Sequence, residues 1–160
     1  MRLPALSVLL SLSLSCITAT ASDATDNFAG VWMATICPSG IKNDPGRCAH
    51  FVLELFQKED KLCGSHVFAT AGAAQMDEGG TPSLTGQVAE GTAHVTVRSG
   101  RGAQMRVPVE LKIVNDRLQW KREEAPPGDY LLPLSAQLSK SKSKTMFAPT
   151  FAQQLQAACR

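Results

Sequence analysis

Three groups of side chains in this 160-residue chain could do chemistry: a pair of adjacent acids, the histidines and the cysteines. The acids are Asp77 and Glu78 in the segment Met-Asp-Glu-Gly-Gly, and paired carboxylates can hydrolyse glycosides. Adjacent acids in a glycine-rich loop are more often solvated turn residues, and no Gly-x-Ser-x-Gly pattern supplies a serine nucleophile. We therefore predict no catalytic residue and no enzymatic activity.

The histidines do not have the spacing of metal ligands, and no two cysteines are separated by two residues. We therefore predict neither a metal site nor a cofactor. His66 is the titratable residue of most interest, because the simplest pairing of its strand places it inside the fold. A structural histidine is the commoner outcome at such a position, and a ligand-binding one is the alternative.

The first 21 residues have the pattern of a secretory signal peptide, with Arg2, an apolar stretch over Leu6–Ile17 and an Ala-Thr-Ala cleavage signal. Attachment of a lipid at Cys16 is the less favoured alternative. Cleavage before Ser22 leaves residues 22–160 as a single domain, and we expect a periplasmic or secreted protein.

Four cysteines remain after cleavage, which is an even number for an oxidising compartment. Cys37 ends the first predicted strand and Cys48 precedes the second, so both should lie at the same end of the fold and pair. Cys63 and Cys159 then form the second predicted disulfide and attach the chain terminus to the rest of the domain.

The charge balance argues against two classes of partner. The chain has 16 basic and 14 acidic residues, which gives no strong field for nucleic acid or an anionic membrane surface. Beyond the leader, no apolar stretch approaches the roughly 20 residues of a membrane helix, so we predict no membrane span.

Alternating apolar residues predict strands in the middle of the chain. Between Arg106 and Ile113 the apolar side chains fall on one face, and a two-residue turn at Asn115-Asp116 places Leu111 opposite Trp120 in the next strand. Residues 83–89 and 92–98 form a second hairpin by the same rule. The second tryptophan is thereby directed into the core.

A third hairpin pairs residues 49–57 with residues 62–70. Simple antiparallel pairing directs Phe68, His66 and Gly64 inward, whereas a one-residue bulge would direct Ser65 and Val67 inward instead. Strands over Val31–Ile36 and Leu132–Leu138 raise the total to eight. The sequence therefore predicts an all-β fold, an eight-stranded antiparallel up-and-down barrel over residues 28–140, with a helix at 149–159 and loops at 38–48, 71–82 and 123–130.

The tripeptide Gly30-Val31-Trp32 at the start of an eight-strand meander resembles the calycin group, which includes lipocalins, fatty-acid-binding proteins and avidin-like barrels. The resemblance implies that Trp32 plugs the closed end of the barrel. In that group an arginine of the last strand packs over the tryptophan, and the predicted last strand here has none. The stretch from Leu62 to Pro133 also resembles an uncharacterised exported bacterial family with no known activity.

Two non-enzymatic functions follow. The calycin resemblance implies a small apolar or amphipathic ligand inside the barrel, with His66, Gly64 and Gly86 as candidates for the lumen. The alternative is an inhibitor or immunity protein that binds an envelope hydrolase through its rim loops. The candidates for that rim are Asp77, Glu78, Arg101 and Asp129. Ser99-Gly100 matches the first half of the Ser-Gly-x-x-Tyr loop of periplasmic lysozyme inhibitors, without its tyrosine.

Overall fold

The computed structural model describes residues 27–42, 44–102 and 105–160. The predicted leader, including Cys16, lies outside these residues. In chain order the elements are β1 (Gly30–Ile36), β2 (Ala49–Lys58), β3 (Lys61–Ala69), β4 (Met76–Glu78), β5 (Leu84–Ala89), β6 (Thr92–Arg98), β7 (Arg106–Val114), β8 (Arg117–Arg122), β9 (Ser135–Lys140) and α1 (Pro149–Ala158). None of the described helices is long and apolar enough to cross a membrane.

Eight of the strands close into an antiparallel barrel. Each strand pairs with its neighbours around the ring, β1 pairs with β9, and β2 pairs with β3 on its other side. The predicted all-β barrel with a short C-terminal helix is therefore confirmed. The segment predicted as one loop over 71–82 contains an additional short strand, because β4 pairs with the end of β3 that β5 leaves open.

The predicted registers are those of the structure. Leu111 lies opposite Trp120, and Leu53 lies opposite His66, without the bulge that would have exchanged the two faces of β3. The predicted last strand was placed too early, since β9 begins at Ser135 and continues to Lys140. Leu132 is buried but lies in the preceding loop, which explains why its apolar character resembled that of a strand.

The connections divide the barrel into two unlike ends. The hairpins β2–β3, β5–β6 and β7–β8 turn tightly at what we call the turn end, where Asn115 and Asp116 have φ angles of 51° and 59°. Positive φ at two central residues is typical of tight hairpin turns whose twist matches that of the strands. The longer connections all lie at the opposite end, which we call the loop end.

Side chains fill the interior of the barrel. Phe51 packs edge-on against Trp120 and Phe68, with ring centroids 4.7 and 5.9 Å apart. The buried cluster includes Phe28, Trp32, Phe51, Leu53, Leu55, Leu62, Phe68, Leu84, Ala93, Val95, Val97, Val107, Val109, Leu111, Leu118, Trp120, Leu132 and Leu138.

Trp32 lies buried near the turn end. Its Nε1 donates a hydrogen bond to the carbonyl oxygen of Phe28 at 2.8 Å, and Lys140 Nζ lies 5.1 Å from the centre of its ring. A cation over the face of an indole is attracted by the ring quadrupole. Lys140 from β9 therefore contributes a cation where the predicted last strand offered none.

The C-terminal segment is attached to the outside of the barrel. Thr145 Oγ1 donates to Glu54 Oε2 at 2.7 Å, and Leu155 of α1 is fully buried. The structure has both predicted disulfides, Cys37–Cys48 and Cys63–Cys159. The second one joins α1 to β3 across 96 positions of sequence.

We expect Trp32→Ala to lower the free energy of unfolding by about 3–5 kcal/mol, the range for removing a large aromatic side chain from a packed core. Met33→Ala is the matched control, because Met33 is 37% exposed on the same strand. Urea unfolding followed by far-ultraviolet circular dichroism measures both. Equal losses in the two variants would contradict the assignment of Trp32 to the core.

Candidate functional site

The loop end is held together by one buried carboxylate, that of Asp77. This residue lies opposite Phe68 in the β3–β4 ladder and is fully buried. Its Oδ2 accepts hydrogen bonds from the Ser99 hydroxyl at 2.7 Å and from the backbone N–H of Leu131 at 2.9 Å. Its Oδ1 accepts the backbone N–H of Gly100 at 2.9 Å. Three separate connections of the barrel therefore meet at Asp77.

These contacts favour the ionised form of Asp77. Burial alone would raise the pKa, but His66, the backbone N–H groups of Leu131 and Gly100 and the Ser99 hydroxyl outweigh it and lower the pKa from 3.8 to about 2. The carboxylate thus stays charged across the physiological range. The sequence predicts Asp77 as a residue of a rim loop, and the structure places it at the rim but beneath the surface.

His66 lies in the barrel interior beside Asp77, as the simple register predicts. Its Nδ1 is 2.8 Å from Ser83 Oγ, and the same oxygen accepts the His66 backbone N–H at 3.0 Å. Because the Ser83 oxygen already accepts the His66 N–H, its own proton can be donated to Nδ1. In a neutral imidazole with that arrangement, the ring proton lies on Nε2. That nitrogen lies 3.5 Å from Asp77 Oδ1.

Serine, histidine and aspartate side chains are thus adjacent in the order Ser83, His66 and Asp77. Ser83 is 2% exposed and His66 is 1% exposed, so little of either residue faces solvent. The Asp77 carboxylate also accepts hydrogen bonds from three donors outside the imidazole. The contacts indicate a support for the loops.

Two of the predicted rim residues form an ion pair above this support. Arg101 Nε donates to Asp129 Oδ1 at 2.9 Å, and the two side chains are 25% and 60% exposed. The pair joins the β6–β7 connection to the β8–β9 connection. Glu78, the fourth candidate, is exposed on β4 and lies opposite Val67. The structure therefore brings Asp77, Arg101 and Asp129 together at the loop end.

The two glycines predicted to make space in the lumen have a different role. A Cβ atom on Gly64 would overlap the carbonyl oxygen of Glu54, and one on Gly86 would overlap the carbonyl oxygen of His94. Both positions are therefore points where neighbouring strands approach closely. A larger residue there would disturb strand pairing before it obstructed a ligand.

A cleft opens where β1 and β9 separate. The two strands pair at Trp32–Lys140 and Met33–Ser139 and then diverge towards the loop end. The cleft has a volume of about 660 Å³. Its lining includes Ala34, Thr35, Ile36, Glu110, Lys112, Gln119, Trp120, Lys121, Ala136 and Gln137.

One cluster of potential metal ligands lies on the outer face of β6, β7 and the end of β8. Ligand atoms of His94, Glu110 and Glu123 lie within 4.8 Å of one another. His94 Nδ1 is already 2.8 Å from Glu123 Oε1, and Lys112 Nζ is 3.1 Å from Glu110 Oε1. Sequence spacing could not find this cluster, because cross-strand pairing brings the three residues together.

We expect Asp77→Asn to remove a pH-dependent part of the stability. Because the pKa of Asp77 is about 2 in the folded state and its ordinary value is 3.8, its contribution to stability is present above pH 4 and is lost as the pH falls through 2. The difference corresponds to about 2 kcal/mol. Urea unfolding at pH 6 and pH 2.5 measures it, with the exposed Asp129→Asn as control. Equal pH dependence in wild type and Asp77→Asn would contradict the assignment.

Comparison of the chain with protein-family models, with curated proteins and with solved structures found no match.

Proposed function

We propose that this chain is an exported, calycin-like, non-enzymatic binding protein that recognises another envelope protein through its loop end. The proposal depends on one observation, which is that hydrogen bonds to the Asp77 carboxylate join three connections of the barrel. A loop cluster ordered before binding avoids much of the entropy cost of association. The loop end offers such an ordered surface, with Arg101 and Asp129 at its exterior.

The packed interior favours recognition at the surface over storage of a ligand in the lumen. Phe51, Phe68 and Trp120 pack against one another inside the barrel. An eight-stranded barrel has room for one small ligand when its inward side chains are small, and these are large. Export is supported by the predicted leader and by two disulfides. The calycin likeness is supported by the closed barrel and by Lys140 over Trp32.

The partner class is an envelope hydrolase or a toxin of similar location, for which the chain would serve as inhibitor or immunity protein. Charged groups on a rim steer the encounter of two proteins and discriminate between partners. Arg101 is the residue best placed for this, since it is held by Asp129 and by the carbonyl oxygen of Met76 at 3.4 Å.

We expect Arg101→Glu to weaken partner binding at least about tenfold, because it breaks the ion pair with Asp129 and reverses the charge that this position presents at the loop end. Protein purified from the native envelope fraction is cross-linked, the retained protein is identified by mass spectrometry, and its affinity is measured by calorimetry. Arg117→Glu at the turn end is the matched control. Undiminished affinity in Arg101→Glu, or an equal loss in Arg117→Glu, would contradict recognition at the loop end.

The cleft between β1 and β9 favours a second candidate function, the binding of a small amphipathic ligand. Its volume of about 660 Å³ suits a small molecule. Ala34, Ile36 and Ala136 offer apolar contact, and Lys121 and the glutamines offer polar groups at its edge.

We expect Thr35→Trp to block such a ligand, because Thr35 is exposed at the cleft and an indole there would occupy it. Met33→Trp is the control, as Met33 is exposed on the same strand outside the cleft lining. Native mass spectrometry of protein from the native envelope detects a stoichiometric compound. A compound retained equally by both variants would exclude the cleft as its site.

A further inference from the structure

Two arginines lie directly opposite each other on adjacent strands near the loop end. Arg98 of β6 is the cross-strand partner of Arg106 of β7, and both side chains are exposed. Like charges at directly opposite positions of an antiparallel ladder destabilise the sheet. The repulsion between the two arginines therefore destabilises this part of the sheet.

No carboxylate neutralises this pair within the described part of the chain. The salt bridges among the described residues, with nitrogen–oxygen distances up to 4.0 Å, involve neither Arg98 nor Arg106. Glu123 bonds to His94, and Asp129 bonds to Arg101. Arg98 donates instead to the neutral carbonyl oxygen of Pro82, which fixes the guanidinium without removing its charge.

The two guanidinium groups line open space on the surface. One cavity of about 480 Å³ is bounded by Gly80, Arg98, Ser99 and Arg106. A second, of about 280 Å³, is lined by the same two arginines and also by Thr85 and Thr96. Those threonines are cross-strand partners on β5 and β6. Each threonine carries a hydroxyl that can donate a hydrogen bond to an anion.

We propose that Arg98 and Arg106 form a binding site for a phosphate group, either free or carried as a monoester on a larger molecule. Two guanidinium forks match the charge of a phosphate dianion and its oxygen geometry. A bound anion would also relieve the repulsion between the arginines. The site is separate from the cleft between β1 and β9, and it does not depend on the proposed protein partner.

The test compares thermal unfolding of the full protein in phosphate and in chloride of equal ionic strength. At about 20 mM inorganic phosphate we expect the melting temperature of the wild type to rise by about 2–4 °C, because a ligand of the folded state stabilises it. Arg106→Gln should lose this rise. Arg117→Gln, an exposed arginine on β8 at the turn end, should keep it.

A second measurement tests the repulsion itself. Without phosphate at low salt, Arg106→Gln should melt about 2 °C higher than the wild type, and this gain should disappear at 1 M sodium chloride. Glycerol 3-phosphate in place of inorganic phosphate distinguishes an ester from the free ion. A larger rise in melting temperature with the ester would indicate that its organic part occupies the rest of the cavity. Equal effects of phosphate and chloride on the wild type would overturn the proposal, as would an equal loss in Arg117→Gln.

Discussion

The ionised carboxylate of Asp77 determines the arrangement of the loop end. Strand pairing fixes the barrel as far as the last residues of each strand, and beyond that point the connections need another source of order. Asp77 supplies it by accepting three hydrogen bonds from two other connections while lying beside His66. A buried charge is costly unless it is paired and fully hydrogen-bonded, and here four polar groups compensate for the burial. Removal of any of these groups would therefore affect loops that are distant in sequence.

The two ends of the barrel are held by different kinds of interaction. At the turn end, tight turns and the packed Trp32 leave little exposed chain to vary, and Lys140 completes that packing. At the loop end, polar side chains tie longer segments together, and charged groups remain at the surface. Because of this division, the surface charges of the loop end can change without disturbance of the core.

Much of the fold could be predicted from the sequence because period-two patterns fix both strand type and register. The pairing of Leu111 with Trp120 follows from turn length and alternation alone, whereas for Leu53 and His66 the sequence also allows a one-residue bulge, which the structure does not have. β4 could not be found in this way, since three residues in a polar, glycine-rich segment carry no usable period. The last strand was displaced for a related reason, because Leu132 and Leu138 are both buried although the strand begins between them.

The candidate site was predictable in its members but not in its chemistry. Asp77, Arg101 and Asp129 were identified as loop residues, yet their sequence neighbours give no sign that one is buried and that the other two are paired. Ser83 and Ser99 were missed as contacts, because an isolated serine has no signal until a partner is placed beside it. The glycines also show that residue type alone does not reveal a role. Gly64 and Gly86 suggest empty space in the lumen, whereas in the structure a neighbouring backbone atom lies where each Cβ would be. Burial in three dimensions, rather than residue type, therefore decides which polar residues of this barrel support the loops and which remain exposed at its surface.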